Sequence, residues 1–231
     1  MLQYAFAVMP CFPGTVLGVR CIDGVVMAVE KLVVSKLLLS GTGKRIFTVD
    51  RHAGFAIAGL IPDGRQLASI ARDECKQYSD LWGSPVPAKV LSGRVSTWAH
   101  AHTTSGYYRP FGCNALIAVM TQAEGPQLWM VEPSGMSYSY LGCAVGKGRQ
   151  VAKVYLEKLD FATLTCRQAV TELARIIYKC HDDPSGKPFE LEMSWVCTES
   201  GGAHCSIPAD IQSAAEAAAK AALEAEEEGA D

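Results

Sequence analysis

The chain has 231 residues, of which 49% are hydrophobic and 19% charged, a composition that allows one large domain with a sizeable core. Its formal net charge of -3 gives no reason to expect nucleic acid as a partner, because that binding needs concentrated basic surface. No apolar run approaches the ~18 residues of a membrane span, and the first residues lack the basic region of a signal peptide. We therefore expect neither nucleic acid nor a membrane as a partner.

The cysteines indicate a reducing compartment. There are nine, scattered along the chain without a CxxC pair. An odd, scattered set is typical of reduced and buried thiols, so we expect the protein in the cytoplasm and nucleus. A disulfide scaffold or a zinc site is the alternative interpretation.

The stretch of residues 14–50 is the centre of the predicted fold. Apolar runs at residues 16–21 and 25–29 flank an Asp23-Gly24 step, which predicts a β-hairpin. The second run is almost continuously apolar, which favours a sheet that is covered on both faces. Further strands are predicted over residues 46–49 and 51–60.

Two helices follow these strands. Pro62 and Asp63 suit the first turn of a helix that continues to about Leu81, before Gly83 and two prolines end it. A second helix is predicted over residues 88–104. It places Val90, Leu91, Val95 and Trp98 on one face.

The following segment alternates as strands over residues 112–121 and 126–131, and then over 136–144 as one strand that completes a meander. Two more helices are predicted at 148–159 and 166–179, and Thr165 with Gln168 suits the N-terminus of the latter. The remaining elements are a loop at 182–186, a strand at 189–197 and a short strand that ends near Ser206.

Residues 208–231 change abruptly to alanine and glutamate. Ile211 and Leu223 are the sizeable apolar residues there, so we expect a helix that docks at its start and ends in a solvated acidic tail. The predicted domains are therefore a short N-terminal segment (1–13), a main domain (14–207) and this tail. The element order favours an α+β fold, a four-layer α-β-β-α sandwich of two antiparallel sheets.

Several motifs, in order, resemble those of proteasome subunits, and the alpha type more than the beta type. They are the hairpin with its continuation through residue 37, GLIPDGR (59–65), RPFG (109–112), EPSG (132–135) and GKGRQ (146–150). Residues 1–13 resemble the family least. Alpha subunits normally carry a gating segment there, so we expect it to be divergent or shortened.

The resemblance implies the fold of N-terminal-nucleophile (Ntn) hydrolases and a non-catalytic structural role in the alpha ring of the 20S proteasome core. That role comprises ring assembly, gated access of substrates and docking of regulators in intracellular protein degradation. The implied partners are neighbouring alpha subunits, the beta ring and regulatory particles with their C-terminal tails. No cofactor is implied. The alternative is an active beta-type threonine peptidase.

The register of the first strand indicates that no catalytic residue is present. Active subunits of this superfamily use an N-terminal threonine whose amine is the base, tuned by a lysine and an aspartate. Matching Gly18 to the family's glycine places Gly14, not Thr15, at the nucleophile position. It also places Glu30 at the aspartate position and, with one inserted residue, Arg45 at the lysine position. Arginine cannot cycle its proton near neutral pH.

The resemblance also implies a docking site. In alpha rings the terminal carboxylate of a regulator tail meets a lysine at the position matched here by Arg45. Gly59 and Leu60 match the wall of that pocket. Lys44 is the alternative cation if the register slips by one. The competing interpretation is that Arg45 pairs with Glu30 or Asp50 at a strand end.

No metal or nucleotide site is predicted. His100 and His102 are two positions apart, so on a helix they face different directions and cannot jointly bind a metal. Gly146 and Gly148 precede a predicted helix and could attract an anion. The third glycine of a nucleotide-binding motif is missing.

Overall fold

A computed structural model of the chain describes residues 14–33, 35, 37–39, 41–181 and 188–228, with side chains as far as residue 225. Two five-stranded antiparallel sheets lie face to face, and helices cover both outer faces. The strands are β1 (Thr15–Arg20), β2 (Gly24–Leu32), β3 (Ile46–Asp50), β4 (Ala53–Gly59), β5 (Cys113–Thr121), β6 (Gly125–Val131), β7 (Ser137–Ser139), β8 (Gly142–Gly146), β9 (Phe189–Cys197) and β10 (His204–Ser206). The helices are α1 (Ile61–Trp82), α2 (Ala88–Thr104), α3 (Arg149–Leu156), α4 (Cys166–Cys180) and α5 (Ala209–Glu228).

The predicted sandwich is confirmed. The first sheet has the strand order β10-β9-β2-β1-β8, and the second has the order β3-β4-β5-β6-β7. The hairpin forms as expected, with Val16 opposite Val29 and Arg20 opposite Val25. Neighbouring strands in both sheets run antiparallel.

The core has three layers, one between the two sheets and one between each sheet and its helices. Strand β2 contributes to two of them, because it is buried on both faces. Val25 and Met27 point towards the second sheet, where they pack with Leu116 and Leu128. Val26 and its same-face neighbours point the other way, against α3, α4 and α5. A third layer lies between the second sheet and helices α1 and α2. The nearly continuous apolar pattern of β2 therefore reflects its burial on both faces, as predicted.

The strand predicted over residues 136–144 is wrong, because the chain changes sheets in the middle of it. The backbone N of Tyr140 donates to Leu128 O in the second sheet at 2.9 Å. One residue later, Leu141 O accepts from Arg20 N in the first sheet at 2.8 Å. β7 thus ends one sheet and β8 begins at the edge of the other. An alternating pattern carries no information about which sheet it joins.

The predicted face of α2 is partly wrong, although its bounds are correct. Leu91 and Val95 are fully buried, but Trp98 is 44% exposed. Its indole Nε1 donates to Glu74 Oε1 on α1 at 3.0 Å. Ala99 is buried instead. Small side chains at the contact let the helix approach the sheet closely.

The helix ends largely follow the predicted signals. Gly83 ends α1 with φ +63°, and its N–H donates to Ser79 O at 2.8 Å. At the start of α4, the backbone N of Thr165 donates to Gln168 Oε1 at 3.0 Å. The predicted loop at 182–186 and the N-terminal segment lie outside the described residues. Within the described part of the chain, no helix combines the length and hydrophobicity that a bilayer crossing requires.

Candidate functional site

The position matched to the catalytic nucleophile has no room for a side chain. Gly14 has φ +108°, and a Cβ there would lie 2.5 Å from Glu30 O. The adjacent Thr15 is fully buried, and its Oγ1 accepts a hydrogen bond from Gly148 N at 3.1 Å. The one hydroxyl near the start of β1 is therefore held as a structural contact.

Glu30, matched to the catalytic aspartate, is buried beside a histidine. One carboxylate oxygen, Oε1, lies 2.7 Å from His181 Nδ1. The His181 ring also packs on Phe189, with ring centroids 4.4 Å apart. No sequence pattern indicates this pair, because 151 positions separate His181 from Glu30. The pair joins the end of α4 to β2.

Arg45, matched to the catalytic lysine, is half-buried just before β3. Its Nη1 donates to Gly59 O at 3.4 Å, and its backbone N donates to Glu192 Oε2 at 3.0 Å. Burial lowers the pKa of the Arg45 guanidinium, and the negative charges of Glu192 and Glu30 oppose that shift. Glu30 is thus an electrostatic neighbour of Arg45. Asp50, the other acid considered as a partner of Arg45, is beside a histidine: its Oδ2 lies 3.3 Å from His52 Nδ1.

Two acids on β9 complete what we call the strand-end cluster: Glu30, Lys31, Arg45, Glu190 and Glu192. Lys31 Nζ lies 3.1 Å from Glu190 Oε2 and 3.9 Å from Glu192 Oε2, and the lysine side chain is only 11% exposed. The cluster forms because β2 and β9 are paired, which places Lys31 opposite Glu190. Sequence reasoning missed both acids, which are well over a hundred positions away.

The two predicted cations line different concavities. Arg45 lines a pocket of about 150 Å³ together with Lys31, Thr42 and Ile61. Lys44 is exposed and lines a neighbouring groove beside Glu192. If the register slipped by one residue, so that Lys44 took the matched position, the cation would line this groove and not the Arg45 pocket.

Gly59 adjoins Arg45, and both Gly59 and Leu60 have an internal neighbour in Gly112. Gly59 has φ +129°, and a Cβ there would lie 2.3 Å from Gly112 O. The backbone N of Leu60 donates to the same oxygen at 3.0 Å. Glycine is therefore required at position 59 by the chain's own packing.

Gly59 and Leu60 are held in place by an ion pair between two of the recognised motifs. Arg109 Nη1 and Nη2 donate to the two Asp63 oxygens at 2.6 and 2.7 Å, and Gly112 N donates to Asp63 Oδ2 at 2.8 Å. Burial alone would raise the Asp63 pKa. The hydrogen bonds from Arg109 and Gly112 outweigh it, so the pKa is lowered. RPFG and GLIPDGR therefore form one structural unit.

The histidines on α2 do not converge on a common point. His100 Nδ1 lies 3.4 Å from Ser134 O, and His102 Nδ1 lies 2.9 Å from Trp98 O. One group of possible metal ligands is nevertheless present in the described residues. The ligand atoms of Cys21, Asp23 and Cys166 all lie within 4.8 Å of one another. Sequence reasoning missed this group because Asp23 and Cys166 are 143 positions apart.

Comparison with known proteins identifies the family. The proteasome subunit family model matches residues 13–196. Proteasome subunit alpha type-3 of Arabidopsis thaliana is 50% identical over 91% of this chain and 84% of its own length. The alpha type-3 subunits of Acanthamoeba castellanii and Dictyostelium discoideum are 49% and 48% identical, over 93% and 91% of this chain and 85% of their own lengths. The chain therefore belongs to the proteasome subunit family, as an alpha-type member.

Proposed function

We propose that this chain is a non-catalytic, structural subunit of the alpha ring of the 20S proteasome core and acts in intracellular protein degradation. The observation that carries the proposal is the absence of space for a side chain at Gly14, the position matched to the nucleophile. The alpha-type relatives agree with this role, and the beta-type alternative is not favoured.

The neighbouring groups are equally unsuited to threonine peptidase chemistry. That chemistry needs a free amine and an accessible hydroxyl on one residue. The Thr15 hydroxyl is buried in the sheet and bonded to Gly148. Arg45 holds its proton far too tightly to exchange it during catalysis.

A labelling experiment tests the non-catalytic role. Assembled cores that contain this chain are treated with a threonine-directed covalent inhibitor, and each subunit is then examined by mass spectrometry. We expect adducts on the active beta subunits, which serve as the internal control, and none on this chain. An adduct on Thr15 would establish the beta-type alternative.

We propose further that the chain contacts neighbouring alpha subunits and the beta ring, and that Arg45 receives the terminal carboxylate of a regulatory particle's tail. Arg45 is half-buried at a small pocket, and a guanidinium can hold a carboxylate through two parallel hydrogen bonds. Gly59 adjoins Arg45 through the hydrogen bond from Nη1 to its carbonyl oxygen, and Ile61, two residues later, lines the pocket. The acids Glu30 and Glu192 compete for the same cation, which weakens the site relative to a lysine without acidic neighbours.

Binding of a regulator-tail peptide to cores carrying Arg45→Ala tests this docking site. We expect a loss of about 1–3 kcal/mol, the scale of one charge-assisted hydrogen bond. Lys44→Ala is the matched control, since Lys44 lines the other groove and should leave binding unchanged. Peptide hydrolysis by open-gated cores should be unchanged in both variants. Undiminished tail binding in both the Arg45→Ala and the Lys44→Ala cores would contradict the proposed docking site.

We also propose that the protein resides in the cytoplasm and nucleus. The support is that all eight cysteines among the described residues are free thiols, as is usual in reducing compartments. Imaging of the tagged endogenous chain checks the assignment. Signal confined to an oxidising compartment would contradict it.

A further inference from the structure

Two thiols and a carboxylate meet at the tip of the first hairpin. Cys21 follows β1, Asp23 lies in the hairpin turn, and Cys166 is the first residue of α4. Their ligand atoms, two Sγ and one carboxylate oxygen, lie within 4.8 Å of one another. Both cysteines are almost fully buried, whereas Asp23 is half-buried. The group therefore lies just beneath the surface, with its carboxylate side open to solvent.

The backbone around the three side chains is already fixed. Asp23 Oδ1 accepts a hydrogen bond from Cys166 N at 2.8 Å, and Asp23 O accepts one from Thr198 N at 2.9 Å. Cys21 N donates to Gly24 O across the turn at 2.7 Å. Because a carboxylate has two oxygens, Asp23 can keep its bond to Cys166 and offer its other oxygen to a ligand. Binding would therefore require little new ordering.

The spacing suits a cation that prefers sulfur. In a tetrahedral zinc site the Zn–S distance is about 2.3 Å, which places two sulfurs roughly 3.8 Å apart. Donors that already lie within 4.8 Å reach this arrangement through small side-chain rotations. Thiolates favour zinc-like ions over magnesium or calcium, which prefer oxygen ligands.

The position of Cys166 also suits an anionic ligand. A divalent cation would displace both thiol protons. Cys166 is the first residue of α4, so the N-terminus of the helix favours the resulting thiolate charge.

We propose that Cys21, Asp23 and Cys166 form a binding site for a thiophilic divalent cation of the zinc class. The three protein donors leave a fourth position for water on the side of Asp23. A bound ion would join the turn of the central hairpin to the start of α4, two segments far apart in the chain.

Cobalt(II) titration of the full chain, kept reduced with a phosphine, tests the site. Bound cobalt should give thiolate-to-metal charge-transfer absorption at a stoichiometry of one ion per chain, and zinc should displace it. Cys166→Ser should abolish this absorption. Asp23→Asn keeps the acceptor for the Cys166 N–H but removes a charged ligand, so affinity should fall about tenfold or more. Cys113→Ser is the matched control, a buried thiol in the other sheet that should change nothing.

Two results would overturn the proposal. One is the absence of cobalt and zinc binding to the reduced wild-type chain at micromolar concentrations. The other is binding that persists unchanged in both Cys166→Ser and Asp23→Asn. If Cys166→Ser fails to fold, Asp23→Asn alone decides, because its shape and its backbone contact match those of the wild type.

Discussion

Asp63 shows, at the scale of single residues, why two motifs separated in sequence belong together. Its side chain is only 8% exposed, whereas that of its partner Arg109 is 61% exposed. The buried carboxylate therefore depends on the arginine and on the N–H of Gly112 to remain charged. The pair positions Gly112, and Gly112 in turn holds Gly59 and Leu60.

We expect Asp63→Asn to lower the free energy of unfolding by about 1–3 kcal/mol, because it replaces charge-assisted hydrogen bonds with weaker neutral ones. Denaturant unfolding of the full chain measures the difference. Asp73→Asn is the control: Asp73 lies on the exposed face of the same helix and should have an effect within about 0.5 kcal/mol. Equal effects of the two substitutions would contradict this role of Asp63.

The same pair should make the protein sensitive to acid. Because the folded-state pKa of Asp63 is depressed, its contribution to stability is fully present above the ordinary value of 3.8 and is lost as the pH falls through the folded pKa. The stability gap between wild type and Asp63→Asn should therefore be constant near neutral pH and shrink in strong acid. A series of unfolding curves against pH checks this. A gap that widens on acidification would show that the sign is wrong.

Among the elements, α5 shows that small residues can dock a helix. The sequence directs attention to Ile211 and Leu223, yet Ala215 and Ala219 are 3% and 1% exposed in the core beside α4. Alanine lets the two helices approach closely, so the contact depends on the absence of larger side chains. A pattern built on large apolar residues does not detect such an interface.

Ala219→Glu should therefore destabilise the chain by about 1–3 kcal/mol, because it forces a long charged side chain into a packed contact. Ala218→Glu is the matched control on the exposed face of the same helix and should stay within about 0.5 kcal/mol. Urea unfolding of both variants distinguishes them. Equal stabilities would mean that α5 does not dock through Ala219.

The acidic end of the chain should be dispensable for assembly. Its like charges, at Glu224, Glu226, Glu227, Glu228 and Asp231, have no basic residues beside them in the sequence, so they repel one another. Deletion of residues 224–231 spares Ala215 and Ala219. Native mass spectrometry should then find intact cores, and failure of the ring to assemble would assign the tail a structural role.

At the scale of the whole molecule, many large apolar side chains face solvent. The most exposed include Leu37 at 94%, Leu39 at 79%, Leu81 at 75%, Trp82 at 68% and Tyr107 at 97%. Exposed apolar surface on this scale is typical of interaction sites. It accords with a subunit of a multi-subunit assembly.

Expressed alone, the chain should therefore self-associate or be poorly soluble, and coexpression with partner subunits should bring it into a ring. Sedimentation velocity and native mass spectrometry measure both states. A stable monomer that captures no ring subunit would count against the proposed assembly.

Elements defined by local signals were predictable from sequence. The Asp23-Gly24 turn, the proline at the start of α1 and the glycine after it, and the Thr165 cap each act over a few residues, so neighbouring residues alone specify them. The ordered motifs were also sufficient to suggest the family. In the candidate site, Arg45 lies against Gly59 O, and the acids that surround Arg45 were not identified from the sequence.

By itself, then, the sequence determined the hairpin, most helix bounds, the two-sheet sandwich and the glycine at the position matched to the nucleophile. Only the tertiary structure decided that the chain changes sheets between Tyr140 and Leu141, that Glu30 meets His181, and that Glu192 lies against Arg45. The physical reason is that these contacts join residues as many as 151 positions apart. The distances between these residues depend on strand order and register, which pair β2 with β9 and bring both strands close to Arg45 just before β3.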